Sequence, residues 1–289
     1  MLPVSATVDT APRPDDAPRY RAVLRTVLAR LPRVGVVLFA LLVYAFLYAP
    51  VIVMAIFSLN DSPVQSLPLH GFTTQWYSNL GSDEPMKDAL VYSLEVSSIA
   101  VSTSIVVGTG FALFFTRVRF PGAQLLQLLL TIPVILPGMV LGISLLLSLR
   151  LVGIHPGLLA IVIAHVTFLV PIVLFVVAQR LKALDPSLEQ ASMDLGAGRA
   201  RTFLHVTLPS VRVALFAAAL LSFTVSFDEV AVTFFVAGFR QTLPVHIWTL
   251  LRFGFSPAVN AILTIIAVAS VASIAVSTIA LLRTRRPAT

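Results

Sequence analysis

Residues 185–209 read DPSLEQASMDLGAGRARTFLHVTLP, a polar, glycine-punctuated interval between two long apolar runs. Its local chemistry predicts a helix, a turn and a second helix. Asp185 can cap the first helix, Pro186 fits the first turn, and Gly196 or Gly198 can end it in the left-handed conformation. Leu188, Ala191, Ser192 and Leu195 recur at helical spacing and make a small apolar stripe. Such a stripe needs a cover. A partner's groove would supply it by the helix-in-groove mode, and so would the chain's own bundle.

Outward from this interval the chain is apolar almost throughout. Of its 289 residues, 57% are hydrophobic and only 11% charged, with a mean hydropathy of +0.95. An ordinary soluble domain carries about 25% charged residues. Six stretches reach the roughly 20 apolar residues that a bilayer core requires: 34–58, 89–115, 123–149, 157–179, 209–236 and 258–282. The fold class is therefore all-α polytopic membrane protein, with six transmembrane helices in one bundle. Pro133, Pro137 and Gly138 interrupt the third stretch, Pro171 the fourth, and Gly108 and Gly110 the second. Freed backbone groups in a membrane must be satisfied by neighbours or a wet cavity, so each breaker marks a transport path or a plain kink. Residues 1–18 are rich in Pro, Ala, Asp and Thr and read as disordered. The apolar run behind them is too long for a signal peptide. The chain has no cysteine, which excludes thiol and Cys–metal chemistry.

The net charge of +7 does not signal nucleic acid, because the basic residues flank apolar runs at alternate ends. Six arginines precede the first run, Arg117 and Arg119 follow the second, and Arg283, Arg285 and Arg286 follow the last. Arg180, Lys182, Arg199, Arg201 and Arg212 lie around the 185–209 interval. Only Lys87, Arg150, Arg240 and Arg252 fall on the other side, and the positive-inside rule then puts both termini in the cytoplasm. The 59–88 segment is external on this count, with Trp76 and Tyr77 suited to the membrane interface. Residues 245–253 suit a short helix in the last external loop.

Ionisable groups inside apolar spans usually face a cavity or a partner, because charge at mid-bilayer costs about 2.5–3.5 kcal/mol on insertion scales. Asp228 and Glu229 lie in the fifth stretch. On a straight helix Asp228 stands roughly 28 Å beyond Pro209, towards the outer mouth, and at most one of the two acids faces the pore. They either guide a cationic amine or pair structurally with Arg240, Arg252 or a partner. Glu95, near the outer end of the second stretch, has the same two readings. Ser222, Thr224 and Ser226 either line a path or bond back to helix carbonyls. His165 beside Thr167 reads as a packing histidine more readily than a ligand. No histidine set has metal-ligand spacing, so no metal site is expected. The motifs GxxxxGK[ST], GxSxG and HExxH are absent, so neither ATP hydrolysis nor membrane hydrolase chemistry is expected, and no catalytic residue is assigned.

The 185–209 interval resembles the signature loop of binding-protein-dependent ABC importer permeases. That pattern is Glu-Ala-Ala, three residues, Gly, nine residues, an aliphatic, any residue and Leu-Pro. Here the slots hold Gln190-Ala191-Ser192, Gly196 and Val206-Thr207-Leu208-Pro209, with every interval matching. The family's glutamate is Gln190 in this chain, with Glu189 one residue earlier. Five further runs resemble the polyamine (spermidine/putrescine) branch: GFTTQWY at 71–77, PVILPGMVLGISLLL at 133–147, AHVTFLVP at 164–171, QASMDLGA at 190–197 and SFDEVAVTFFVAG at 226–238.

The resemblance implies a type I ABC importer permease fold with three parts. Residues 1–33 are a cytoplasmic tail, 34–282 a six-helix permease domain that includes a 185–208 coupling loop, and 283–289 a basic tail. It implies ATPase coupling through Glu189, Gln190, Ala191, Ser192, Asp194, Leu195 and Gly196, and a solute path touching Asp228, Glu229, Glu95 and Ser226. The implied partners are a second permease subunit, two ATP-binding cassette ATPase subunits that bind ATP and magnesium, an extracytoplasmic solute-binding protein and the lipid bilayer. This chain itself needs no cofactor and is not an enzyme. The implied place is the bacterial inner (plasma) membrane, crossed several times. Putrescine or spermidine lead as solutes. Another small amine, an amino-acid-like solute, or a secondary transporter driven by an ion gradient are the alternatives.

Overall fold

The computed structural model describes the backbone of residues 17–118, 120–253 and 257–284, and the side chains of 35–118, 120–252, 257–272 and 275. The tails 1–16 and 285–289, Arg119, and the side chains from Arg19 to Arg33 and of Arg283 lie outside the described residues. The tail read as disordered is therefore described only from Ala17, where a helix begins.

The described chain is helical: α1 (Ala17–Phe57), α2 (Gln75–Leu80), α3 (Glu84–Arg117), α4 (Ala123–Ile135), α5 (Gly138–Leu151), α6 (Leu158–Lys182), α7 (Pro186–Asp194), α8 (Arg199–Thr202), α9 (Leu208–Phe227), α10 (Thr233–Val236), α11 (Leu243–Phe253) and α12 (Pro257–Thr284). Among the described residues, four segments are long and apolar enough to cross a membrane: Gly35–Phe57 of α1, α3, α6, and the run Arg199–Phe227 ending in α9. The pair α4 and α5, bent by 109° at its break, makes a fifth if read as one span.

The chain divides into two compact units, one of Met1–Thr73 with Asn260–Thr289 and one of Thr74–Val259. In the first, Asn60 and Phe72 form an isolated antiparallel bridge, and the Thr73 amide donates to the Leu59 carbonyl at 2.9 Å. The second is built around α6. A helix that is hydrophobic all round belongs in an interior, and α6 packs between α3 and α9 with Ile161, Leu169, Val173, Leu174 and Val177 sealed from solvent.

The breakers behave differently from one another. Pro137 has no amide proton and biases the residue before it to an extended conformation. Leu136 accordingly takes φ −68° and ψ 141°, and α4 ends there. Pro133 and Pro171 stay inside their helices. Gly108 interrupts nothing either; it is a contact notch, where a Cβ would stand 2.7 Å from the Val173 side chain and 3.0 Å from the Val170 carbonyl.

The fifth apolar stretch differs from its sequence expectation at both ends. Its helix begins ten residues early by register, at Arg199, and passes through a π turn at Phe203–Thr207. There the Leu208 amide reaches back five residues to the Phe203 carbonyl, just before Pro209, which offers no amide proton. The helix then stops at Phe227. Asp228 is its C-cap and Glu229 lies beyond it, so the two acids are not neighbours on one helix. The short helix expected at 245–253 is present as α11, with the Arg252 guanidinium 5.2 Å from the Trp248 ring centre.

Candidate functional site

Two places in the second unit gather polar groups against an otherwise apolar frame. The first is the 185–209 interval. The Asp185 carboxylate accepts the Ser187 amide at 2.9 Å, and the Ser187 backbone and hydroxyl hold that carboxyl below its ordinary value. At the other end of α7, Gly196 takes φ +86°, a backbone that only glycine enters cheaply. Its amide donates to the Met193 carbonyl at 2.9 Å, and the Ala197 amide donates to the Ser192 carbonyl at 3.1 Å. This pair of reverse bonds is the Schellman arrangement, and it ties off the end of the helix.

Of the seven residues singled out on α7 and its C-terminal turn, six separate into two faces. Glu189 and Ser192 turn towards the chain's own bundle. Arg117, at the end of α3, is ion-paired with Glu189, and the Thr207 hydroxyl in the π turn donates to the same carboxylate oxygen. Arg117 also reaches the Thr207 hydroxyl at 3.3 Å, and Ser192 and Thr202 share a hydroxyl–hydroxyl bond of 3.0 Å. Gln190, Ala191, Asp194 and Leu195 are exposed. Leu188 is 50% exposed and Leu195 89% exposed, so the bundle does not cover the apolar stripe. Ser192 leaves that stripe for the inner face. Beside the ion pair lies a polar pocket of about 430 Å³, lined by Thr116, Arg117, Lys182, Asp185 and Glu189 among others.

Arg117 and Thr207 were not legible as site residues. Arg117 reads as an orientation charge and Thr207 as the unrestricted slot before Leu208-Pro209. Their partner Glu189 lies 72 residues from Arg117, beyond the reach of local pattern.

The second place is the break after α9. Asp228 is exposed, and among the described residues its carboxylate has no ionic or hydrogen-bonding partner. Glu229 accepts the Val232 amide at 2.8 Å and so caps the turn leading into α10. It also borders a cavity of about 210 Å³ whose walls include Pro133, Leu136, Gly138, Phe168 and Val225, so the break in α4–α5 and the break after α9 meet at one void. They meet closely. A Cβ on Gly138 would stand 2.8 Å from the Ala231 Cβ, and one on Gly142 would stand 2.8 Å from the Phe235 ring and 3.0 Å from the Val232 Cα. Small residues four apart let a helix approach this way in membranes.

Ser226 and Glu95 both have partners within the unit. Ser226 is buried and bonded to His165 Nδ1 at 2.7 Å, while Thr233 Oγ1 lies 2.9 Å from His165 Nε2. Thr224 bonds back to the Leu220 carbonyl at 3.0 Å, and Ser222 is buried. Glu95 lies 3.7 Å from Arg240, whose guanidinium grips Asp88 at 2.6 and 3.2 Å and covers the Tyr92 ring at 4.1 Å. Arg240 is thus engaged with the first turns of α3 rather than with Asp228. Among the described residues, no three His, Asp or Glu side chains gather as metal ligands do.

Residues 100–285 match the family described as binding-protein-dependent transport system inner membrane component. The chain is 36% identical to the putrescine transport system permease protein PotI of Escherichia coli strain K12 over 235 residues, covering 78% of this chain and 83% of that one. It is 34% identical to the spermidine/putrescine transport system permease protein PotC of the same strain over 252 residues, covering 87% and 94%. Among solved structures, a chain of a bacterial ABC transporter involved in import of the acidic polysaccharide alginate superposes with a TM-score of 0.64 at 16% identity, covering 88% of this chain and 97% of that one. A chain of an amino acid ABC transporter gives 0.53 at 20% identity, covering 74% and 100%.

Proposed function

The chain belongs to the binding-protein-dependent transport system inner membrane component family and is a permease subunit of an ABC importer, and from that premise we propose that the solute it passes is a polyamine of the putrescine or spermidine kind. The observation that carries this solute class is the acid pair at the break after α9. Asp228 stands exposed without a counter-ion among the described residues, and Glu229 borders the void between the two broken helices. A flexible polycation is the solute such a pair suits. The names of the two permease relatives support the same class.

In the proposed assembly the chain crosses the bacterial inner membrane six times, with α4–α5 as one bent span and α12 as the last. Both termini face the cytoplasm, as the basic flanks require. A second permease completes the path, and an extracytoplasmic binding protein delivers the solute. Two ATPase subunits bind ATP and magnesium. Leu188, Gln190, Ala191, Asp194 and Leu195 form the face of α7 that enters an ATPase groove, Glu189 and Ser192 fasten α7 to its own bundle, and Gly196 closes the helix. ATP-driven closure of the ATPases then moves α7, and the bundle converts that movement into alternating access.

The test is uptake by the complete complex in proteoliposomes. ATP-dependent accumulation of labelled putrescine or spermidine, driven by the binding protein, is the expected result. Accumulation of only an amino acid or another small amine would move the solute class, and uptake by this chain alone without ATP would overturn the importer reading.

A further inference from the structure

His165 is a buried titratable side chain with no part in the reading above. It stands on α6, the most enclosed helix of its unit, and is 0% exposed. A polar group so placed is costly unless it is hydrogen-bonded. His165 is bonded at both ring nitrogens, and the identity of its partners is the informative part. Ser226, 2.7 Å from Nδ1, lies in the last turn of α9; Thr233, 2.9 Å from Nε2, opens α10. Between them runs 227–232, the loop that carries Asp228 and Glu229.

From this geometry we infer that His165 is a positioning residue for the solute path, a clasp across the acid-bearing loop that sets where Asp228 and Glu229 stand. The inference rests on the permease reading for its consequence and on the two hydrogen bonds for its mechanism. A neutral imidazole has one N–H and one bare nitrogen, so it donates to one hydroxyl and accepts from the other. The ring fixes the distance between its two nitrogens, which makes it a spacer of set length between the flanks of the loop. Its own orientation is held by Phe168, whose ring centre lies 5.3 Å away. The other contacts of the loop do different work. The Glu229 cap on Val232 is internal to the loop, and the Gly138 and Gly142 notches seat only its second half and α10. Among the described residues, His165 is the one side chain hydrogen-bonded to both flanks. Leucine would fill the same space, but without a fixed spacing between α9 and α10.

The chain has no cysteine, so a single reporter can be placed cleanly. A nitroxide on Val230→Cys, in the full-length chain in lipid nanodiscs, reports the mobility of the loop. His165→Leu should raise that mobility at least twofold, whereas His165→Gln, whose amide offers a donor nitrogen and an acceptor oxygen, should keep it near the parent value. His165→Leu also leaves two buried hydroxyls unpaired, a stability cost that removing both partners relieves. The triple variant His165→Leu, Ser226→Ala, Thr233→Val should therefore recover thermal stability and still leave the loop mobile. It carries the same comparison if His165→Leu alone does not fold. In the complete complex the triple variant should raise KM for uptake roughly tenfold, with a smaller change in Vmax. An immobile loop in His165→Leu, or a triple variant that recovers both stability and immobility, would overturn the clasp. A loosened loop in a complex whose parent moves no amine leaves the clasp standing and removes the solute reading.

Discussion

The α7 interval and the 226–233 break are built alike and offer opposite chemistry. Each turns its hydrogen-bonding groups inward as a fastening: Glu189 and Ser192 onto Arg117, Thr207 and Thr202 in one case, Ser226 and Thr233 onto His165 in the other. Each leaves a different residue type facing out. At α7 the outward residues include Leu188 and Leu195, which suit a protein groove; at the break Asp228 faces out, which suits a cation. The difference teaches that polarity by itself does not mark the working face of a site in a membrane protein. At both places the inward polar groups are taken up by partners within the chain, and Leu188, Leu195 and Asp228 are among the side chains left facing out.

Gly196→Val attacks the α7 side of this comparison at its most constrained point. A side chain in the left-handed region costs roughly 1–2 kcal/mol before β-branching is counted, and the two reverse bonds of the turn depend on that conformation. ATPase co-purification and uptake should fall by roughly tenfold or more. Unchanged yield and uptake would show that α7 does not carry the coupling.

Asp228→Asn and Glu229→Gln sharpen the other side. Removing one unit charge about 4 Å from a cation is worth about 1 kcal/mol in a water-like dielectric, or close to fivefold. Asp228→Asn should raise KM for a dication by that factor while leaving assembly intact. Glu229→Gln keeps an acceptor for the Val232 amide, so any rise in KM there reports charge rather than a lost cap. Equal uptake by parent and both variants would remove the acids from the path.

The smallest effect belongs to Asp185. Its carboxyl is held below the ordinary 3.8 by Ser187, so its folded pKa is depressed. The cap therefore contributes in full above that ordinary value and is lost only as pH falls through the lower one. ATPase docking should be flat from about pH 8 to pH 5. Asp185→Asn, equally good as a cap, should change docking less than about twofold. Docking that declines between pH 7 and pH 5 would place the titrating group elsewhere.

Most of the frame was legible because bilayer crossing demands long apolar runs, and because Asp185-Pro186 carries clear capping chemistry; between Gly196 and Gly198 as the helix end, only the structure decides. The end of α9 was not. The run TVSFDEVAVTFFVAG has no proline, and no glycine before Gly238, so nothing local stops the helix at Phe227. The break coincides with pairings to distant residues: Ser226 and Thr233 with His165, and Ala231 to Phe235 with Gly138 and Gly142. Gly108 shows the same limit from the other direction. A glycine that lets a helix break and a glycine that lets two helices touch look identical in one sequence, and only Val173 at contact distance tells them apart. Arg240 went to Asp88 and Glu95 rather than Asp228 because the chain turns at Gly238 (φ +74°) and brings the guanidinium over Tyr92.

The glycine notches on α5 have a mechanical corollary. The 231–235 segment is seated so closely against α5 that a Cβ at Gly138 or Gly142 would collide with it, and the two surfaces leave each other no slack. A rotation of α5 about the Pro137 corner would therefore press first on 231–235, and reach Asp228 and Glu229 only as far as the His165 clasp lets the loop follow.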